Sequence, residues 1–335
     1  MKVWRMFYNG TLLLLGTLLV LGYTACTTVP AALTPGTALQ SKPFAELPPG
    51  ADLYVYLDLQ RSQNIINTLY QKGGIPSLKR VPQKSIGYAR QVYGALYTEG
   101  SKQRFYAKVS GQFPVFRTAL SLTLSPDWKK KRSGALSYWR SDKNGLSLTL
   151  TSRMVTLTDG IPQYIDSNHI PASDLGSSSE VPEAVEITRE ELADSNLYLI
   201  LNSPDRLVKS ALGTFGPLGQ ELQIPLKQIR LKLSPSSMPK TYTVEARLIT
   251  TSPSYGRALG ALLSLGTVFL NQPISPEETP ENPEVVLKQL GTLLLSERPS
   301  VEGPVVSLLS KPIDESELTL LLQSILVYFD RIKTL

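Results

Sequence analysis

The two side chains that carry much of protein chemistry, thiol and imidazole, occur once each, as Cys26 and His169. One thiol rules out a disulfide within the chain, and one thiol with one imidazole rules out multi-Cys or multi-His metal sites. A nucleophilic triad would have to use His169, which lies in Asp166-Ser167-Asn168-His169-Ile170-Pro171. Asp166 could orient the ring and serines are near, but no G-x-S-x-G elbow accompanies them, so His169 reads as an ordinary loop residue. Phosphate-loop and dinucleotide fingerprints are absent. Asp52 and Asp58 stand at even spacing on an expected strand and would share a face, yet Asp58 falls where a helix begins and reads as its cap. The acidic stretch Glu277 to Glu284 is broken by Pro280 and Pro283 and lacks EF-hand spacing, which makes it a solvated loop rather than a cation site. No catalytic residue, metal or cofactor is therefore expected. The alternative is a hydrolase working through two carboxylates or through a serine with a general base.

The surroundings of Cys26 give it a different chemistry. Lys2 and Arg5 precede an apolar run from Thr11 to Gly22, in which eight of twelve residues are Leu or Val. That is signal-peptide length and charge order, and too short for a bilayer span unless Met6 to Tyr23 is counted whole. The run ends in Leu21-Gly22-Tyr23-Thr24-Ala25-Cys26. This resembles the relaxed lipobox of spirochaetal lipoproteins, with Ala25 and Thr24 in the small positions before the cysteine and Tyr23 where an aliphatic residue is usual. The resemblance runs from Met1 to Cys26, and it implies removal of 1–25 and acylation of Cys26. Two or more acyl chains hold a protein on a bilayer stably. An uncleaved signal anchor with an inert Cys26 is the competing reading.

The elements that follow must present whatever the lipid anchors. Residues 26–50 carry prolines at 30, 35 and 43 and close on Pro48-Pro49-Gly50, the composition of a tether. A first module is expected over 51–160, a Ser/Pro/Glu-rich linker over 161–194 and a second module over 195–335. Ala51-Asp52-Leu53-Tyr54-Val55-Tyr56-Leu57-Asp58 recurs further on as Ser195-Asn196-Leu197-Tyr198-Leu199-Ile200-Leu201-Asn202, in the same order of apolar and polar positions. Phe105 to Leu120 has a counterpart in Tyr242 to Leu259, each strand leading through a proline into a helix. The expected order is strand 53–58, helix 61–71, a helical turn near 84–91, strands 92–98 and 103–110, helix 114–124, then strands 134–140, 146–151 and 153–158. In the second module it is strand 196–202, helix 204–214, strands 226–234 and 240–250, helix 253–270, a helix near 284–290, strands 292–296 and 304–310, and helix 315–332. Both begin βαββα, which predicts an α+β fold: a tandem duplication of a ferredoxin-like module with an antiparallel sheet.

Charge divides the same way. The chain carries +6 overall, but residues 27–165 hold 18 Lys or Arg against 7 Asp or Glu, and residues 166–335 hold 14 against 21. The basic run Lys129-Lys130-Lys131-Arg132 reads first as a solvated loop. It is also the candidate interaction surface, for anionic lipid, a cell-wall polymer or an envelope protein. Arg104, Phe105, Tyr106 and Lys108 share a strand but lack the glycine and aromatic spacing of an RNA-recognition motif, so no nucleic-acid partner is expected. Helix 253–270 is apolar around most of its circumference, with Gly256, Gly260 and Gly266 allowing close approach, and should be buried on several sides. Together these readings describe a non-catalytic, lipid-anchored protein of the cell membrane or outer membrane, facing the periplasm, with a binding or structural role.

Overall fold

The structure is a computed structural model that describes residues 44, 47–72, 86–99, 102–162, 187, 189–202, 204, 225–270, 289 and 291–332. Cys26, His169, all of the expected helix 204–214 beyond its first residue, and the acidic loop 277–284 lie outside them. In order, the elements are β1 (Leu53–Asp58), α1 (Gln63–Lys72), β2 (Ala89–Glu99), β3 (Lys102–Gly111), α2 (Val115–Leu124), β4 (Lys129–Ser133), β5 (Leu136–Ser141), β6 (Leu146–Leu150) and β7 (Met154–Thr158). Then follow α3 (Arg189–Ala193), β8 (Leu197–Asn202), β9 (Leu226–Pro235), β10 (Thr241–Thr250), α4 (Pro253–Leu270), β11 (Ser300–Glu302), β12 (Val305–Leu309), β13 (Ile313–Asp314) and α5 (Glu315–Ile332). The fold is mixed α+β, with antiparallel sheet predominating. Two compact units divide the chain, one drawn from residues 9–63 and 77–193, the other from 64–76 and 194–335. Helix α1 thus packs with the second unit, where Thr68 Oγ1 donates to Glu315 Oε1 (3.4 Å).

In the first unit the strands run β1-β2-β3-β7-β6-β5-β4, every described pair antiparallel. A split βαβ of the ferredoxin-like kind would put the first strand parallel beside the third. Here β1 bonds to β2 along all six of its residues, from Leu53↔Leu96 to Asp58↔Gln91, while β3 holds the other edge of β2. No place is left between β1 and β2 for another strand, and the expected strand order gives way to a meander. The pleat sorts the sheet into two different faces. One cross-strand row reads Val55, Gly94, Ala107, Leu157, Leu148, Trp139, Lys130, apolar until the edge. The adjacent row on the opposite face reads Tyr56, Tyr93, Lys108, Thr156, Thr149. Alternation of side chains along each strand makes this separation automatic.

The strands of the second unit run β8-β9-β10-β12-β11, and β13 continues alongside β10. Its apolar row is Leu201, Ile229, Leu248, Val306, Val301, and the adjacent row reads Ile200, Arg230, Arg247, Ser307, Ser300, polar beyond its first position. Leu259 of α4 is buried with Leu226 and Val306, and Leu263 packs against the same cluster. Gly256 and Gly260 let the helix close on the β11–β12 hairpin, since a Cβ on Gly256 would lie 2.5 Å from the Gly303 carbonyl oxygen and one on Gly260 would strike Val301 Cγ2. The far side of α4 is open, however, with Tyr255, Leu262 and Leu265 exposed, so the expectation of burial on several sides is corrected. Residues 292–294, expected as part of a strand, are helical, and Leu295 after them packs on Ala246 and Leu308. At the start of α5, Asp314 Oδ1 accepts the Glu317 amide hydrogen (2.8 Å), the cap its D-x-x-E pattern predicts.

Candidate functional site

Two surfaces of the first unit concentrate side chains that a packed core does not require. The first is the corner where α2 lies against β4. Pro114 occupies the cap position of α2 without a side-chain hydrogen bond, and the helix is held instead by one face, on which Thr118 and Leu122 are buried. On the opposite face Phe116, Leu120 and Leu124 follow at four-residue intervals and are 80%, 48% and 74% exposed. Residues spaced i, i+4, i+8 form one stripe, so the helix shows solvent a continuous apolar line headed by an aromatic ring.

Beside it runs Lys129-Lys130-Lys131-Arg132. Expected as a loop, the run is strand β4, paired with β5 from Lys129↔Arg140 to Ser133↔Leu136 and exposed at every basic position. Alternation sends Lys129 and Lys131 to one face, where both approach Asp142 (3.7 and 3.6 Å), and Lys130 to the other, where its ammonium sits 5.7 Å from the centre of the Trp139 ring. Arg132 Nε donates to the Gly134 carbonyl (3.1 Å). The pairs are solvent-exposed and weak, leaving three net positive charges on the strand to interact outward.

The second surface is the polar face of the sheet around Tyr56. Tyr93 donates through its hydroxyl to Gln91 Oε1 (2.9 Å), Gln91 Nε2 donates to the Tyr56 hydroxyl oxygen (3.2 Å), and Tyr56 donates to Asp58 Oδ2 (3.3 Å). Asp58 Oδ1 in turn accepts the Arg61 amide hydrogen (3.0 Å), the capping role its place in the sequence implies. Burial, then the negative charge of Asp58 and the neighbouring Tyr93, pushes the Tyr56 phenol far above its ordinary value. A phenol so held is a fixed donor, not an acid or nucleophile at physiological pH. In the second unit a shorter series joins Gln228 Nε2, which donates to Asn202 Oδ1 (2.7 Å), and Arg230 Nε, which donates to Gln228 Oε1 (2.6 Å).

Chain that sequence reasoning assigned to the tether closes over the tyrosine face of the first unit. Phe44 and Leu47 are buried. The Phe44 ring meets Tyr54 edge-on at 5.5 Å between centroids and Tyr93 at 6.3 Å, and the Pro48 carbonyl accepts hydrogen bonds from the hydroxyls of Tyr54 (3.3 Å) and Tyr97. The signal available in the sequence was an aromatic and a leucine among small and proline residues. Further along the face, Arg140 Nη1 bonds Ser147 Oγ (2.9 Å) and the Asp159 carbonyl (2.8 Å), and burial raises the Asp159 carboxyl above its usual range. On β3, Tyr106 and Lys108 belong to this face while Phe105 points to the other, so the strand offers no common stacking platform. Among the described residues no group of three or more His, Cys, Asp or Glu is placed to hold a metal ion, and no helix is long and apolar enough to cross a membrane.

No protein-family model matches the chain. No curated protein matches it either. Among solved structures, it is similar to crystal form III of TP0453, a spirochaete (Treponema) protein, at a TM-score of 0.49 and 16% identity, over 84% of this chain and 97% of that one. Crystal form IV of TP0453 gives a TM-score of 0.49 at 14% identity, and crystal form I gives 0.45 at 17%, each over 84% of this chain and 96% of the other.

Proposed function

We propose that the protein is a non-catalytic lipoprotein of the cell envelope, held at a bilayer by acyl chains on Cys26, whose first unit rests on an anionic lipid surface through the corner of α2 and β4. The observation that carries this reading is the juxtaposition of an exposed Phe116-Leu120-Leu124 stripe with the exposed Lys129 to Arg132 strand. Apolar side chains that enter the headgroup boundary beside cations that meet its phosphates are the two contributions peripheral membrane binding uses. The excess of base in residues 27–165 brings the same sign of charge to the anchored half.

The chain is further read as two copies of one plan. Supporting this, Asp58 stands opposite Gln91 and Asn202 opposite Gln228, at matching ends of β1–β2 and β8–β9. Ala107 and Ala246 occupy equivalent places on β3 and β10, and the helices that follow expose Phe116 and Tyr255, each equally far along the chain from its alanine. The test is metabolic labelling with a radioactive fatty acid, followed by flotation on vesicles. The wild-type chain should incorporate label at Cys26 and float, and Cys26→Ala should lose the label and bind vesicles containing phosphatidylglycerol but not pure phosphatidylcholine. Label persisting in Cys26→Ala would remove the anchor, and equal binding to the two vesicle types would remove the lipid surface.

A further inference from the structure

We propose that Phe44 together with residues 47–50 forms a latch which fastens the tether to the tyrosine face of the first unit and gives it two lengths. Three contacts make the latch, and they differ in kind. The Phe44 ring is seated edge-on against Tyr54 and Tyr93, Leu47 is buried, and the Pro48 carbonyl is gripped by two tyrosine hydroxyls. A turn closes the segment, from the Leu47 amide to the Phe44 carbonyl (3.0 Å). Behind it stands Gly50 at φ +79°, a conformation other residues rarely adopt, which fixes the direction in which the chain enters β1.

The β1–β2 register begins at Leu53, after the latch, and the hydrogen-bonded series from Tyr93 to Asp58 is complete without it. A peripheral segment held by one aromatic ring, one leucine and one carbonyl opens at a lower free energy than the sheet it covers. The inference rests on the anchor reading in one respect: the lipid on Cys26 makes the far end of the tether immobile. With the latch closed, the chain is fixed to the first unit from Phe44 onward; with it open, it is fixed only from Ala51. The stretch so released lengthens the maximum reach by about 25 Å. Opening also uncovers the rings of Tyr54 and Tyr93, so the reach of the attachment and access to the tyrosine face change together.

The latch can be read with a glutamate-specific protease on the full lipidated chain in vesicles, since Glu46 precedes the buried Leu47. In wild type the Glu46–Leu47 bond should resist cleavage. Phe44→Ala should raise the rate at that bond roughly a hundred- to a thousandfold, as expected for truncating a buried ring, with an unchanged far-UV circular dichroism spectrum. Cleavage should leave a new N-terminus at Leu47 and shed the globular part from the vesicles. Tyr97→Phe removes only a hydroxyl that grips Pro48, and should give a smaller increase of several-fold. Equal rates for wild type and Phe44→Ala would overturn the latch. Should Phe44→Ala fail to fold, an unchanged rate in Tyr97→Phe would overturn it equally. The same comparison made in detergent on a Cys26→Ala background should give the same ratio of rates. A failed anchor would then show as protein that never floats with vesicles, and a failed latch as rates that do not differ.

Discussion

Replacing Lys129, Lys130, Lys131 and Arg132 together by glutamine tests the proposed lipid surface most directly. The strand carries four positive charges, and Asp142 lies close to two of them, at 3.7 Å from Lys129 and 3.6 Å from Lys131. The cluster therefore goes from three net positive charges to one net negative, a change of four. Each cation near an anionic leaflet contributes about 1 kcal/mol, so about 4 kcal/mol of binding is at stake, or close to a thousandfold in affinity. The fold should tolerate the change: the basic positions are exposed, their ion pairs are worth about 0–1 kcal/mol each, and the contact of Lys130 with Trp139 adds about 0.5–1 kcal/mol. The assay is co-sedimentation of the Cys26→Ala chain, free of the anchor's contribution, with phosphatidylglycerol vesicles at several salt concentrations. Wild type should bind at low salt and weaken steeply as added salt shortens the Debye length below about 10 Å. The glutamine variant should bind weakly and with little salt dependence. An affinity reduced less than tenfold at low salt, with the thermal midpoint unchanged, would refute the assignment of these cations to the lipid surface.

Two further outcomes follow from the geometry. Gly256→Ala puts a methyl 2.5 Å from the Gly303 carbonyl oxygen and 3.2 Å from Pro304 Cα, backbone atoms that cannot turn aside, and should lower stability by about 1–3 kcal/mol in thermal unfolding. Gly260→Ala meets a side chain instead, so Val301→Ala should restore Gly260→Ala but leave Gly256→Ala as it was. Asp159 is a carboxyl whose folded-state pKa lies above its unfolded one because burial disfavours the charge. Such a group destabilises the folded state once it ionises, so its cost is absent below the unfolded value, grows as pH rises from there, and is complete above the folded one. Asp159→Asn should thus gain stability relative to wild type between acid and neutral pH, measured by urea unfolding at each; a constant difference across that range would count against the burial of the charge.

How much of this was legible depends on the kind of signal. The continuous apolar run Leu53–Asp58, the alternating strand Thr241–Thr250 and the helix opened by Asp314 stand where their patterns put them. Periodicity and capping are local, and a single chain displays them. Strand β4 was not legible, because four consecutive basic residues have neither alternation nor strand propensity; pairing with Leu136–Ser141 makes them a strand, and a tertiary contact overrides a local preference. The helical turn at 291–294 was lost for the opposite reason, since a short run such as Leu293-Leu294-Leu295 is compatible with either period. The exposed stripe of α2 was readable as an apolar helix but not as an uncovered one. Which face a helix leaves open is decided by what the rest of the chain brings to it. Phe44 shows the same limit: one aromatic residue in a proline-rich stretch says nothing of Tyr54 and Tyr93, the rings that receive it.

The position of β4 at the end of its sheet has a consequence for crowding. The proposed lipid anchor would confine molecules to two dimensions and keep their flanks at similar heights, so any bare strand edge would meet its copies often and in a favourable orientation. An edge of unpaired amides is a template for sheet extension between chains. Here the edge carries a lysine or arginine at four successive positions, and two such edges brought side by side would set eight cations within a few ångströms of one another. The same side chains proposed to meet an anionic surface would keep neighbouring molecules apart, so that anchored proteins could pack densely on a membrane without zipping into a common sheet.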